Sequence, residues 1–374
     1  MHSLCFSLLS CSNAPPHSLP PTLSPIFKRV NYEDRGKRST LDGISEPEDL
    51  RRIFTYDLRQ TELKQMVIAM KQVLLYSLPH YMLLRGQQIR HLELCDMLTM
   101  KYANKRNPDN PHIALCFSTK EGKTNAKADR HYSGSMRHRN IEDCSHRVSA
   151  FYFFMRFHIS GEDPPDFSAR KNWYNIKAVL CYDAGTGKCS DREKRITYPD
   201  HLRAATMLLN ATGQNSTKGK THLCRGSGVL AAERLGITVE IIKQMGFWEQ
   251  SALKMHYMAM LPREGLFKMA EFETYDSIYW ARDVEVPEVL LKKVFPWIEE
   301  WLEEFEKRKR FEAQPRRKKS KKNNGEEEER LDEADIKVQK TDLAAVGFLR
   351  LLKYLRKVKD FTCFNSLFSL QLTY

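Results

Sequence analysis

Apolar positions recur at helical intervals over the first folded part of the chain and alternate farther on. Residues 46–80 are therefore predicted to be helical, with these side chains on the buried face: Leu63, Met66, Val67, Met70, Val73 and Leu74. His112–Thr119 alternates apolar and polar residues, which predicts a strand. A second short strand, Tyr132–Met136, is expected to return beside it after a turn at Glu121-Gly122.

Helical patterns fill the rest of the block. His146–Ile159 is apolar on nearly all sides, which predicts a buried helix. Three helices are expected near its end, over His222–Leu235, over Val239–Met245 with Thr238 as the N-cap, and over Glu249–Met260. The predicted fold class is mainly α with a small antiparallel β-sheet, an α+β arrangement.

Composition divides the chain into four predicted parts. They are a Pro/Ser-rich disordered arm (1–45), a folded domain (46–302), a charged disordered linker (303–342) and a C-terminal helix (343–374). The linker holds two basic clusters, Lys307–Arg310 and Arg316–Lys322. Paired clusters of this kind are typical of a nuclear localisation signal, so we expect the nucleus.

The charge balance points to an anionic partner without naming it. The net charge is +13, which favours binding of a polyanion. Nine cysteines, with no pair at C-x-x-C spacing, indicate reduced thiols and no zinc site. No apolar run reaches the length of a membrane span. The run Gly213–Thr221 departs from a P-loop, because Lys218 stands where the second glycine should be.

The residues that carry chemistry form an ordered set along the chain. In order they are Arg85, Lys123, His222, Arg225, Trp248 and Tyr257. His222-Leu-Cys-Arg225 alone is a common chance match. Its position after an arginine and a lysine is more informative, as are the intervals of 23 residues from Arg225 to Trp248 and 9 from Trp248 to Tyr257.

In this order and spacing the chain resembles the tyrosine recombinases. The surrounding sequence is similar to the second domain of fungal Ndc10-like proteins and to Crypton-type recombinases. The similar segments are Arg137-His-Arg139, Ala150–Arg156, His158–Glu162 and Tyr257 followed by Leu261-Pro-Arg263. The resemblance covers about residues 75–302 and implies the fold of a recombinase catalytic domain.

The resemblance implies a phosphate-binding basin. Arg85 and Arg225 would clamp the non-bridging oxygens of a phosphodiester, since guanidinium groups bind such oxygens in pairs and stay charged. His222 would accept a proton or orient the phosphate, and the indole N–H of Trp248 would donate to the same phosphate.

In an active recombinase the same family pattern gives roles to two more residues. Lys123, or Lys127 in its place, would protonate the leaving 5′-oxygen. Tyr257 would be the nucleophile that forms a 3′-phosphotyrosine. This chemistry implies neither a metal nor a cofactor.

Binding is favoured over catalysis, and the expected partner is double-stranded DNA. Only about 84 residues precede Arg85, too few for the usual clamp domain beside an arm. Gln87-Gln88 also places amides where recombinases have an acidic residue. Further cations expected to contact DNA are Arg90, Arg137, Arg139, Lys218 and Lys220.

Two alternatives stay open at this point: an active tyrosine recombinase and a nuclear scaffold protein. Because recombinases exchange C-terminal segments between protomers, a homo-oligomer is also an expectation. The sequence indicates no membrane partner.

Overall fold

The computed structural model describes residues 46–104, 108–119, 131–183, 186–214, 220–248, 261–273, 287–313 and 341–358. Helices surround a small antiparallel sheet, which confirms the predicted fold class. The arm (1–45), the turn at Glu121-Gly122 and the helix expected over 249–260 lie outside these residues. Within the described parts, no helix is both long and apolar enough to cross a membrane.

The helices of the first half bring the core together. They are α1 Pro47–Phe54, α2 Leu63–Met82, α3 Gly86–His91, α4 Ser145–Phe154 and α5 Tyr198–Ala211. Helix α2 is the central element and is buried along most of its length. It ends where Leu83 takes a left-handed conformation with φ 51°, so the chain turns sharply into α3.

The second half adds the helices that surround the candidate site and the C-terminal layer. They are α6 Lys220–Arg234, α7 Val239–Gly246, α8 Arg263–Met269, α9 Glu288–Lys293, α10 Trp297–Ala313 and α11 Leu343–Leu355. Thr238 occupies the N-cap position of α7 with extended backbone, but its side chain accepts no capping hydrogen bond.

The sheet has three strands in the order β1-β2-β3, with β1 Met97–Tyr102, β2 His112–Thr119 and β3 His131–Met136. Both pairings are antiparallel, and Leu115 lies opposite Thr99 on one side and Ser135 on the other. Strand β1 was not expected, although Leu98, Met100 and Tyr102 alternate with the polar Thr99 and Lys101.

Helix α4 is buried on every side, as its apolar run predicts, and it continues as a π-helical turn over Met155–Ile159. Two arginines in this segment are nevertheless buried. Arg147 is paired with Asp57 at 3.1 Å, and Arg156 holds Glu162 through two hydrogen bonds of 2.6 and 2.7 Å. A buried cation needs such a partner, so both pairs fix how α4 packs.

The C-terminal layer departs from the expected linker. Helix α10 continues through residues 303–313, where the sequence predicts disorder, because Phe305 is buried and Glu304 pairs with Arg308 one turn later at 3.0 Å. Helix α11 packs against β1. Its N-cap, Asp342, is 5% exposed and accepts hydrogen bonds from Trp173 Nε1 and the Tyr174 hydroxyl.

Candidate nucleic-acid interface

Arg225 is the centre of the candidate site. It lies in α6 and is only 8% exposed. Its Nη2 donates to the carbonyl oxygen of Gly246 at 2.7 Å, and its Cζ lies 4.1 Å from the centroid of the Trp248 ring. Its Nη1 is buried and finds no hydrogen-bond acceptor among the described residues. Leaving a buried cationic donor unsatisfied is costly, so a site of this kind is suited to an anionic ligand.

The end of α7 places Trp248 over this guanidinium. Phe247 adopts a left-handed conformation with φ 54°, which turns the chain back across Gly246. A Cβ on Gly246 would lie 2.0 Å from Trp248 Cζ3, so only glycine leaves room for the indole. Trp248 remains 47% exposed. The indole therefore covers Arg225 on one face and offers the rest of its surface to a ligand.

Arg85, which directly precedes α3, interacts electrostatically with the same guanidinium. Burial, and then the charge of Arg85, lowers the pKa of Arg225 to about 10. No carboxylate in the described part of the chain contributes to this shift. Two arginines from positions far apart in the sequence are thus close enough for the charge of Arg85 to act on Arg225.

Gln88 holds the backbone of Arg85. Its Oε1 accepts from the Arg85 backbone N–H at 2.7 Å, and its Nε2 donates to the Thr119 hydroxyl at 3.3 Å. A carboxylate could accept the first bond but could not donate the second. The amide therefore links the start of α3 to the end of β2, while Gln87 is exposed.

Next to Arg85 lies a second group of side chains, around His222. His222 is exposed on α6. Its charge acts on His201 of α5. His201 is 1% exposed, and its Nδ1 lies 3.3 Å from Arg90 Nη1. Burial, then the charges of Arg90 and His222, lowers the pKa of His201 to about 4, so its imidazole is neutral near pH 7.

With this geometry in view, one family comparison decides the relationship. The family described as centromere DNA-binding protein complex CBF3 subunit, domain 2, matches residues 52–368. The chain belongs to this family. The resemblance to Ndc10-like proteins seen in the sequence is thereby confirmed.

The solved structures that resemble this CBF3-family chain have low sequence identity and low TM-scores. It is similar to a Flp recombinase–Holliday junction complex, with 15% identity, a TM-score of 0.39 and coverage of 66% of this chain and 56% of that one. It is also similar to a mutant Flpe–DNA Holliday junction complex, with 14% identity, a TM-score of 0.37 and coverage of 63% of this chain and 54% of that one. The chain thus spans little more than half the length of these recombinase chains. No curated protein sequence matches it.

The other cations proposed from the sequence occupy different environments in this CBF3-family domain. Arg139 is exposed, and its backbone N–H donates to Ala270 O at 2.9 Å. Arg137 is 6% exposed, and its charge helps to lower the pKa of the buried His146. Lys220 is half-buried as the first residue of α6. Lys123, Lys127, Lys218 and Tyr257 lie outside the described residues.

Sequence reasoning did not find His201, and no local signal could have revealed it. Its place beside Arg90 arises from packing between α3 and α5, two helices that the sequence did not predict. Within the described residues, one group of possible metal ligands occurs, Glu93, Cys95 and Asp96. Lys177 Nζ already pairs with Glu93 at 2.5 Å, and Asp96 accepts from the Glu93 N–H, so both carboxylates are engaged.

Proposed function

We propose that the chain binds duplex DNA by holding a backbone phosphate in a basin formed by Arg85, His222, Arg225 and Trp248. The observation that carries this proposal is the buried Nη1 of Arg225, which has no acceptor in the described part of the chain while a second arginine lies near. A phosphate bound beside Trp248 would offset the repulsion between the two guanidinium groups, and a small shift of the indole would let a phosphate oxygen reach the buried donor.

Two further facts favour DNA over a small anion. The chain belongs to a family described as centromere DNA-binding. Its net charge of +13 supports binding of a polyanion through counterion release. Together with the basic clusters after residue 306, these facts support action in the nucleus.

Binding, rather than strand transfer, is the proposed activity. In the recombinases an acidic residue helps to orient the first arginine. Here Gln88 uses both ends of its amide on the Arg85 backbone N–H and on Thr119. Arg85 would then supply charge to the phosphate without a carboxylate to orient its guanidinium. If Tyr257 were a nucleophile, nicked suicide duplexes would yield a covalent 3′-phosphotyrosine adduct and release the 5′-hydroxyl strand.

The test compares two arginines of α6. Arg225→Gln removes the proposed phosphate contact. Arg234→Gln is the control, since Arg234 is 45% exposed at the end of the same helix and pairs with Glu46 at 3.0 Å. Binding of the full chain to a labelled random-sequence duplex would be measured by fluorescence anisotropy over a salt series.

We expect Arg225→Gln to weaken binding and to reduce the slope of log K against log salt by about 0.9, the value for one lost phosphate contact. Arg234→Gln should keep the wild-type slope. Circular dichroism melting curves would show that both variants fold. Equal slopes for wild type and Arg225→Gln would refute the proposal.

A further inference from the structure

A second cationic surface lies beside the basin. We name it the α3–α5 edge and define it by Arg90, His91, Arg195 and Tyr198. The Arg90 guanidinium lies 5.5 Å from the centroid of the Tyr198 ring, and Arg195 Nη1 lies 3.1 Å from His91 Nε2. Arg195 is exposed, and Tyr198 is 50% exposed. The edge thus presents two guanidinium groups and an aromatic face to solvent.

Gly86 joins this edge to the basin. A Cβ on Gly86 would lie 3.2 Å from Arg90 Nη1 and 3.5 Å from the carbonyl oxygen of Thr221. Gly86 directly follows Arg85, and Thr221 directly precedes His222. Arg90 of the edge therefore lies against Gly86, the residue that follows Arg85, so the edge adjoins the basin.

The acidic groups near the edge have other partners. Glu93 and Asp96 line the same pocket as His91 and Arg195, but Glu93 pairs with Lys177 at 2.5 Å and Asp96 accepts from the Glu93 N–H. Burial, and secondarily the charge of Arg195, lowers the pKa of Arg90, and no carboxylate among the described residues contributes. The nearest acid on α5, Asp200, is engaged elsewhere. It accepts from the Thr197 hydroxyl at 2.6 Å and pairs with Arg203 at 3.4 Å.

We propose that Arg90 and Arg195 hold a second phosphate of the same DNA strand, and that His201 is a positioning residue for Arg90. This inference rests on the proposed function, because it extends the path of the strand that the basin holds. His201 would act by accepting a hydrogen bond at Nδ1, which fixes the guanidinium between the imidazole and the Tyr198 ring.

The inferred role of His201 requires a neutral imidazole. A protonated ring would have no lone pair at Nδ1 and would repel Arg90. The depressed pKa of His201, near 4, keeps the ring neutral throughout the physiological range. The 1% exposure of His201 also prevents it from touching DNA itself.

The experiment uses the full chain, the labelled random-sequence duplex and the salt series described above. Arg195→Ala and Arg90→Gln should each reduce the salt slope by about 0.9. Arg203→Ala is the control on α5, since Arg203 is paired with Asp200 and its side chain is 66% exposed. It should leave the slope within the error of wild type. Unchanged slopes for both Arg195→Ala and Arg90→Gln would overturn the inference.

Two variants of His201 separate positioning from support of the fold. His201→Phe keeps a ring but removes the acceptor, and it should reproduce the slope of Arg90→Gln. In His201→Asn the amide oxygen stands close to the place of Nδ1, so the wild-type slope should return. If both variants lower the melting temperature equally and neither changes the slope, the positioning role is wrong. If His201→Phe fails to fold, the exposed Arg195→Ala still decides the second phosphate contact.

Arg225→Gln separates this inference from the proposed function. A reduced slope for Arg225→Gln with wild-type slopes for the edge variants would overturn only the second site. Reduced slopes for the edge variants with a wild-type slope for Arg225→Gln would overturn both the basin and the continuous path. Reduced slopes for both groups would support both proposals.

Discussion

Two glycines in α6, two residues apart, should respond in opposite directions to the same substitution. A Cβ on Gly228 would lie 2.0 Å from the carbonyl oxygen of His80 in α2, whereas a Cβ on Gly226 would meet nothing within 4 Å. The hydroxyl of Ser227, which lies between them, shares a hydrogen bond of 2.9 Å with His80 Nδ1. Gly228 thus lies at a close approach between α6 and α2.

The size of the effect follows from these distances. An ordinary contact begins at 3.4 Å, so Gly228→Ala must separate the helices by about 1.4 Å, and the obstructing atom is backbone that cannot rotate away. Overpacking of this kind costs about 1–3 kcal/mol, and losing the buried Ser227–His80 bond adds about 1–3 kcal/mol. Gly226→Ala should instead stabilise the chain by about 0.5–1 kcal/mol, because alanine favours the helix.

Urea unfolding followed by circular dichroism measures both values. The midpoint should fall for Gly228→Ala and rise slightly for Gly226→Ala, which gives a difference of roughly 2.5–7 kcal/mol in the free energy of unfolding. Midpoints that move together in direction and size would refute the packing of α6 on α2 described here.

Two other predictions concern buried charge. Asp57→Ala leaves Arg147 buried without its partner and should lower the free energy of unfolding by about 3–5 kcal/mol. Glu304→Ala removes one side of a more exposed pair and should lower it by less than about 1 kcal/mol. Urea midpoints that fall equally in the two variants would contradict this. Burial lowers the pKa of both His80 and His146 to about 3, so the unfolded chain binds protons first as the pH falls below about 6.5. Stability should therefore drop from pH 7 to about 5, by up to about 1.4 kcal/mol per histidine and pH unit, and a flat urea midpoint would disprove it.

Elements with a strong local pattern could be predicted from the sequence. Helix α4 follows directly from its apolar run and strand β2 from its alternation, whereas strand β3 was expected as the return of the chain beside β2. Strand β1 carries the same signal as β2, since Leu98, Met100 and Tyr102 alternate with Thr99 and Lys101, but this alternation was overlooked in the sequence. Its pairing with β2 is a tertiary feature that no local pattern shows. The extension of α10 beyond residue 302 depends on tertiary burial of Phe305, which local charge density conceals.

The candidate site, too, could be predicted from the sequence only in part. Arg85, His222, Arg225 and Trp248 could be nominated from their order and spacing, since they match a family pattern. Whether they approach one another is a matter of packing, and only the fold shows the stacking of Arg225 under Trp248. His201 had no signal at all, because a single histidine in an unpredicted helix gives no indication of an arginine 111 positions away.

The most direct test of the account is a double-mutant cycle on Arg85 and Arg225, measured as affinity for the random-sequence duplex at one salt concentration. If both guanidinium groups hold one phosphate, the double variant Arg85→Gln/Arg225→Gln should bind about as weakly as either single variant, with a coupling energy of about 0.5–3 kcal/mol. Losses that add to within about 0.5 kcal/mol would show that the two arginines act independently, and the shared basin would be wrong.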